Sequence, residues 1–250
     1  GIILYNHNEP VGLCWIDLQE GHYGNIIVHA ISPEYYISVV QSFVATGLMK
    51  NNAAELIQFV QGFEYRDAFL ELGYFEKERQ RMIYDIPEDL NPPQPRDGVT
   101  FEELTAEKSN IEADISTKSH AIRRNIEGYY DFSSYERRLE MAQELRRDKN
   151  GKTNPYGSII MNKGNLPIGI CDVVDIKYWG HENLGWIMDF AVLPEYQGFG
   201  YARHMLETAI YRMYQRQQKT VGLAVTASNK PAKTLYENVG FKTQEFFVEI

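Results

Sequence analysis

An α/β (α+β) fold, built twice along the chain, is what the 250 residues predict, and three observations carry it. Short apolar runs bounded by glycine or proline read as buried strands, as in Trp186-Ile187-Met188-Asp189-Phe190-Ala191-Val192 between Gly185 and Pro194. A glycine-rich turn joins that run to a segment whose Ala202, Met205, Leu206, Ala209, Ile210 and Met213 recur at helical spacing. Blocks near the N-terminus also return, in order, near the C-terminus. Ile2-Ile3 to Pro10-Val11-Gly12-Leu13-Cys14 parallels Ile159-Ile160 to Pro167-Ile168-Gly169-Ile170-Cys171. His29 to Tyr35 parallels Phe190 to Tyr196, and Leu72-Gly73-Tyr74 echoes Val239-Gly240-Phe241. Three such blocks in order read as a tandem repeat.

Taken in chain order, the first copy spans residues 1–90. A proline-rich polar linker, residues 91–97, separates it from a second copy at residues 98–250. In the second copy, residues 98–104 alternate like a first strand. Helices are expected over 106–124 and 133–147, where Tyr129, Tyr130, Phe132 and Tyr135 are candidates for lining a pocket or for packing between helices. Val221 to Thr226 reads as a further buried strand. Cys14 and Cys171 each sit in an apolar run, as small buried thiols and not as a disulfide or metal pair. The six histidines show no ligand spacing, so no metal is expected.

Composition bounds the function classes. A hydrophobic fraction of 44% with 24% charged residues suits a soluble globular chain, expected in the cytoplasm as a monomer or homodimer. No apolar run approaches a membrane span. A net charge of −9 speaks against nucleic acid as a partner.

The sharpest motif is Leu193-Pro194-Glu195-Tyr196-Gln197-Gly198-Phe199-Gly200-Tyr201-Ala202. Its glycines permit a tight turn and close approach to backbone amides at a helix N-terminus, which favours a phosphate. Downstream stands Asn229-Lys230-Pro231-Ala232-Lys233-Thr234-Leu235-Tyr236-Glu237-Asn238-Val239-Gly240-Phe241. Together these two motifs resemble the GNAT N-acetyltransferase superfamily. Gln197, Gly200 and Ala202 match its Gln/Arg-x-x-Gly-x-Gly/Ala signature, and the second motif matches without a gap. A dinucleotide fold is disfavoured, since the third glycine is missing.

The resemblance implies two GNAT-like domains, each a mixed, splayed sheet flanked by helices. It implies transfer of an acetyl group from acetyl-CoA, without a metal, to an amine on a small molecule or protein. Two central strands would part near Ala191 and Val192, with the Val192 N–H aimed at the thioester oxygen. The implied co-substrate residues are Ala191, Val192, Leu193, Gln197, Gly198, Phe199, Gly200, Tyr201, Ala202, Asn229, Ala232 and Tyr236. Tyr236 is the expected general acid for the leaving thiolate. The base is open: Trp186, Met188 and Ala224 stand where relatives carry one, and Asp189 is the nearest carboxylate, catalytic or structural. Water relays to Asp172, Asp175 or Glu182 are alternatives.

In the first copy, Tyr36, Val39, Gln41 and Phe69 stand where the second has Gln197, Gly200, Ala202 and Tyr236, so it is expected to be degenerate. Two other functions remain in play: a non-catalytic acyl-CoA-binding regulatory module, and an aminoacyl transferase, the latter disfavoured by charge.

Overall fold

The computed structural model describes residues 1–16, 26–45, 58–59, 65–74, 76–121 and 134–249. Two compact units emerge: Gly1–Gln80 with Thr226–Ser228 and Glu245–Ile250, and Arg81–Val225 with Asn229–Gln244.

In the first unit, β1 (Ile2–Asn6), β2 (Glu9–Ile16) and β3 (Ile26–Ala30) form an antiparallel meander. A 3-10 turn at Pro33–Tyr35 runs straight into α1 (Tyr36–Ala45), which packs on all three strands. β4 (Gln58–Phe59) and α2 (Arg66–Glu71) follow. Cys14, Val39, Val40, Phe43, Tyr65 and Phe69 are buried together as this unit's core. Burial pushes the Cys14 thiol up to about 11, so it is an inert packing group.

The second unit centres on a mixed sheet in the order β5-β11-β10-β9-β8-β6. Its strands are β5 (Lys77–Asp85), β6 (Val99–Glu103), β8 (Ile159–Lys163), β9 (Leu166–Tyr178), β10 (His181–Val192) and β11 (Thr220–Thr226). The short β7 (Lys152–Thr153) pairs with β9. Residues 168–174 of β9 are all buried, as a central strand covered on both faces requires. Alternation sends Ile159, Met161, Cys171 and Val192 to one core, shared with Met205, Leu206 and Ala209 of α5 (Tyr201–Tyr214). It sends Ile160, Ile170 and Ala191 to a second core with Ile115 of α3 (Ser109–Ala121). α4 (Tyr135–Leu145) packs on α3, and the Ser134 hydroxyl caps it by accepting from the Arg137 N–H at 3.1 Å. α6 (Lys230–Val239) and β12 (Lys242–Glu249) close the chain. Both helices expected after the first strand form. Tyr129, Tyr130 and Phe132 lie outside the described residues, and Tyr135 opens α4 half exposed.

The compact units are divided differently from the expected 1–90, 91–97 and 98–250. The division falls at Gln80, inside β5, and the chain returns to the first unit inside β12. Strand pairing explains this: β5 lies beside β11, while the end of β12 pairs with β4, Val248 opposite Phe59. The element order β1-β2-β3, 3-10 turn, α1, β4, α2, β5 recurs as β8-β9-β10, 3-10 turn, α5, β11, α6, β12.

Candidate active site

The cleft begins where two parallel strands part. β10 pairs with β11 only from Gly185 to Ile187, opposite Val221 to Leu223. Met188 is then the extra residue of a bulge, since Ile187 faces Val173 and Asp189 faces the next residue back, Asp172. The strands thus separate after Ile187, earlier than Ala191, because the bulge turns β10 away. On the far side β10 stays tied to β9. Leu193 N–H donates to Ile168 O at 2.9 Å, which by alternation turns the Val192 N–H toward the opened side. Val192 C=O shares that side and accepts from Gln197 Nε2 at 2.8 Å, clamping strand end to turn.

Two of the expected co-substrate residues, Leu193 and Ala191, have groups engaged in the fold itself. The N–H and C=O of Leu193 are spent on Ile168 and Tyr196, and its side chain joins Ala191 in the α3 core. The Phe190 ring centroid lies 6.2 Å from that of Tyr236. Sequence alone missed Phe190, because the bulge that resets alternation has no marker beyond the Met188-Asp189 pair.

Past the 3-10 turn at Pro194–Tyr196, four residues precede α5. Gly198 (φ +81°) and Gly200 (φ +78°) are both left-handed, a conformation glycine alone adopts without cost. A side chain at Gly198 would meet nothing within 4 Å. One at Gly200 would meet only Arg96 Nη1, at 3.1 Å. Open glycine backbone at a 14-residue helix's N-terminus is a cradle suited to a diphosphate. Phe199 is exposed beside it.

α6 is positioned by its own motif. Asn229 Oδ1 accepts from Ala232 N–H at 3.2 Å as the N-cap, and Gly240 (φ +115°) ends the helix. These roles account for Asn229 and Ala232 as helix-forming residues. Tyr236 is buried between Phe190 and Phe241, with ring centroids at 6.2 and 5.8 Å.

Beneath α3 and α4 lies a buried ionic layer that the sequence reading did not anticipate. Asp189 accepts from Ser116 Oγ at 2.5 Å, lies 3.1 Å from His120 Nε2, and pairs with Arg138 at 3.7 Å. Burial works to raise its carboxyl, yet His120, Arg138 and Ser116 hold it far below the usual range. Deeper, Arg146 bridges Asp172 (2.6 Å) and Glu112 (3.1 Å). Burial and the nearby Asp172 push Glu112 well above the ordinary carboxylate value. Asp172 is fully buried in this layer, and its other oxygen accepts from Ser158 Oγ, which excludes it as a relay to water.

So depressed a carboxylate is a poor base, and Asp189 anchors helices to sheet. Asp189→Asn is expected to cost about 3 kcal/mol, the scale for breaking a buried pair by removing one partner. A folded value held below the unfolded one contributes stability that is full above the ordinary value near 3.9 and is lost progressively as pH falls from there toward the depressed folded value. Urea unfolding of parent and variant at pH 7 and pH 3 measures both effects: the difference should shrink at the lower pH. An equal difference at both would contradict the anchoring role.

Residues 121–241 match the family model described as the acetyltransferase (GNAT) family. GNAT enzymes take acetyl-CoA as co-substrate, and among the described residues no cluster suited to hold a metal ion occurs. The chain is 26% identical over 178 residues to mycothiol acetyltransferase of Streptomyces griseus, covering 70% of this chain and 53% of that protein. It is 30% identical over 95 residues to the ribosomal protein bS18-alanine N-acetyltransferase of Haemophilus influenzae, covering 37% of this chain and 60% of that one. It thus spans 53% and 60% of these relatives' lengths. Among solved structures, a GCN5-related N-acetyltransferase from Sphaerobacter thermophilus superposes with a TM-score of 0.60 at 17% identity, covering 97% of this chain and 76% of that one. A conserved protein of unknown function from Staphylococcus epidermidis gives 0.59 at 15%, covering 91% and 83%. Across the described residues, no helix is long and apolar enough to cross a membrane.

Proposed function

We propose that the second unit transfers an acetyl group from acetyl-CoA to a primary amine by direct attack, and that the first unit is a degenerate copy of the same fold. The observation that carries this is the parted pair β10 and β11, with the Val192 N–H turned by alternation to the opened side and the glycine cradle beginning six residues on. Acetyl-CoA supplies an activated acyl thioester. The Val192 N–H donates to the thioester oxygen as negative charge builds there. The amides from Gly198 to Ala202 hold the diphosphate. Tyr236 gives its phenolic proton to the departing sulfur.

The acceptor class follows from what the described residues of the cleft lack. Trp186, Met188 and Ala224 fill the strand positions where relatives carry a base, and Asp189 is held anionic by its partners. Deprotonating a lysine-like amine, pKa about 10.4, at pH 7 costs roughly 4–5 kcal/mol, whereas an α-amine near 8 needs only about 1. An acceptor of low basicity, such as an α-amine, is therefore the proposed substrate class. The name of the H. influenzae relative, an alanine N-acetyltransferase, agrees with this. Thiol release from acetyl-CoA across a panel of α-amino, ε-amino and polyamine acceptors tests the reading. Amine-dependent release, fastest with α-amines, is expected. Preference for polyamines would overturn the acceptor class, and release indifferent to every amine would favour a non-catalytic acyl-CoA binder.

In this reading the first unit repeats the framework with its own counterpart of the site closed. Its Gly12 pairs with Ala30 as Gly169 pairs with Val192, and Ile31 N–H donates to Val11 O as Leu193 does to Ile168. The counterpart of Val192 in the first unit is therefore Ala30, one residue off the spacing that the motifs suggest. The Ala30 N–H is taken by Tyr65 Oη at 2.6 Å, with the Tyr36 ring 4.5 Å from that of Tyr65. No glycine turn precedes α1, whose Tyr36 is already helical at φ −54°. Val39 packs into the notch over Gly12, where an added Cβ would lie 2.1 Å from its methyl. Donor, cradle and slot are all filled by the chain itself.

A further inference from the structure

The motif at the cradle has a conspicuous gap in charge. Gln197-Gly198-Phe199-Gly200-Tyr201-Ala202 contains no lysine or arginine, yet a diphosphate carries two negative charges. A helix N-terminus presents only about half a unit of positive charge. The next cation along the chain, Arg203, is paired with Glu207 at 2.7 Å.

The missing cation arrives from more than a hundred residues away. Arg96, in the segment that reads as a linker, donates from Nη2 to Phe199 O at 2.8 Å. Its guanidinium carbon stands 4.4 Å from the Tyr201 ring centroid, a cation–π stack on the first residue of α5. Its Nη1 lies 3.1 Å from where a Cβ added at Gly200 would stand. Lys163, at the end of β8, approaches the same ring at 5.9 Å and donates to the Asp97 carbonyl. The segment is built to hold this pose. Pro92, Pro93 and Pro95 restrict the backbone before Arg96. Val99 N–H donates to Arg96 O at 3.0 Å, and Gly164 N–H to Gly98 O at 2.8 Å, tying the turn to the β8–β9 hairpin. The cation's field is felt across the helix start, since burial and then Arg96 lower the His204 imidazole.

We infer that Arg96, seconded by Lys163, is the phosphate-binding cation of the co-substrate site, and that it recognises the diphosphate of CoA. This rests on the acyl-CoA reading above and deepens it. The guanidinium fork matches phosphate oxygens in two-point geometry, and its stack on Tyr201 holds it ready beside the amides. The titratable and charged groups around it are Lys163, Asp97, His204 and the Arg203–Glu207 pair.

The test is calorimetric titration of CoA and of dephospho-CoA, which lacks the 3′-phosphate and keeps the diphosphate. Parent, Arg96→Gln and Arg96→Lys chains are compared at two salt concentrations. Gln retains a donor for Phe199 O and removes the charge. The expected result is a 10- to 100-fold loss of affinity in Arg96→Gln, the scale for a hydrogen bond to a charged group. The loss should be equal for both ligands, come with a flatter salt dependence, and be partly restored by Lys. Unchanged CoA affinity in Arg96→Gln would overturn the assignment, as would a loss seen with CoA and absent with dephospho-CoA. A parent chain that binds neither ligand would overturn the acyl-CoA reading itself.

Discussion

Gly200→Val is expected to weaken CoA binding by at least about 100-fold, or about 2.7 kcal/mol, while the chain stays folded. Gly200 sits at φ +78°, where a β-branched residue is strained by about 1–2 kcal/mol. The larger effect is steric. The valine Cβ would stand 3.1 Å from Arg96 Nη1, and its methyls would fill the space through which the diphosphate reaches the amides. Far-UV circular dichroism with calorimetry separates the two effects. Native-like unfolding with undiminished CoA affinity would remove the cradle from the site.

Tyr236→Phe should lower kcat by about 10²- to 10⁴-fold, the range for a positioned acid, with a smaller change in acetyl-CoA binding. Its ring contacts with Phe190 and Phe241 survive the change, so packing is retained. Losing one buried hydroxyl alters stability by only about 1 kcal/mol. Single-turnover measurements, in which chemistry limits the rate, are the direct check. An unchanged rate there would remove Tyr236 as the acid.

Much of the fold was legible because its signals are local. Gly198 and Gly200 announce a left-handed turn, Asn229 and Gly240 bracket a helix, and alternating apolar residues mark the strands. Contacts between distant segments were not legible. The depth of Asp189 depends on a bulge at Met188 and on Ser116, His120 and Arg138 from two helices. Arg96 reads as linker until the proline-rich turn is seen against α5. The boundary at Gln80 was hidden for the same reason, since nothing within β5 says that its partner is β11. The substitution of Val39 for glycine was visible, whereas Tyr65 as the group that takes the Ala30 N–H was not.

The central claim is that one chain holds one acyl-CoA site, in the second unit. Calorimetric titration with CoA measures this directly, in the parent chain and in Val39→Gly. One site per chain is predicted for both, because removing Val39 restores neither the missing turn nor the N–H held by Tyr65. Two equivalent sites in the parent, or a second site created by Val39→Gly alone, would contradict the account.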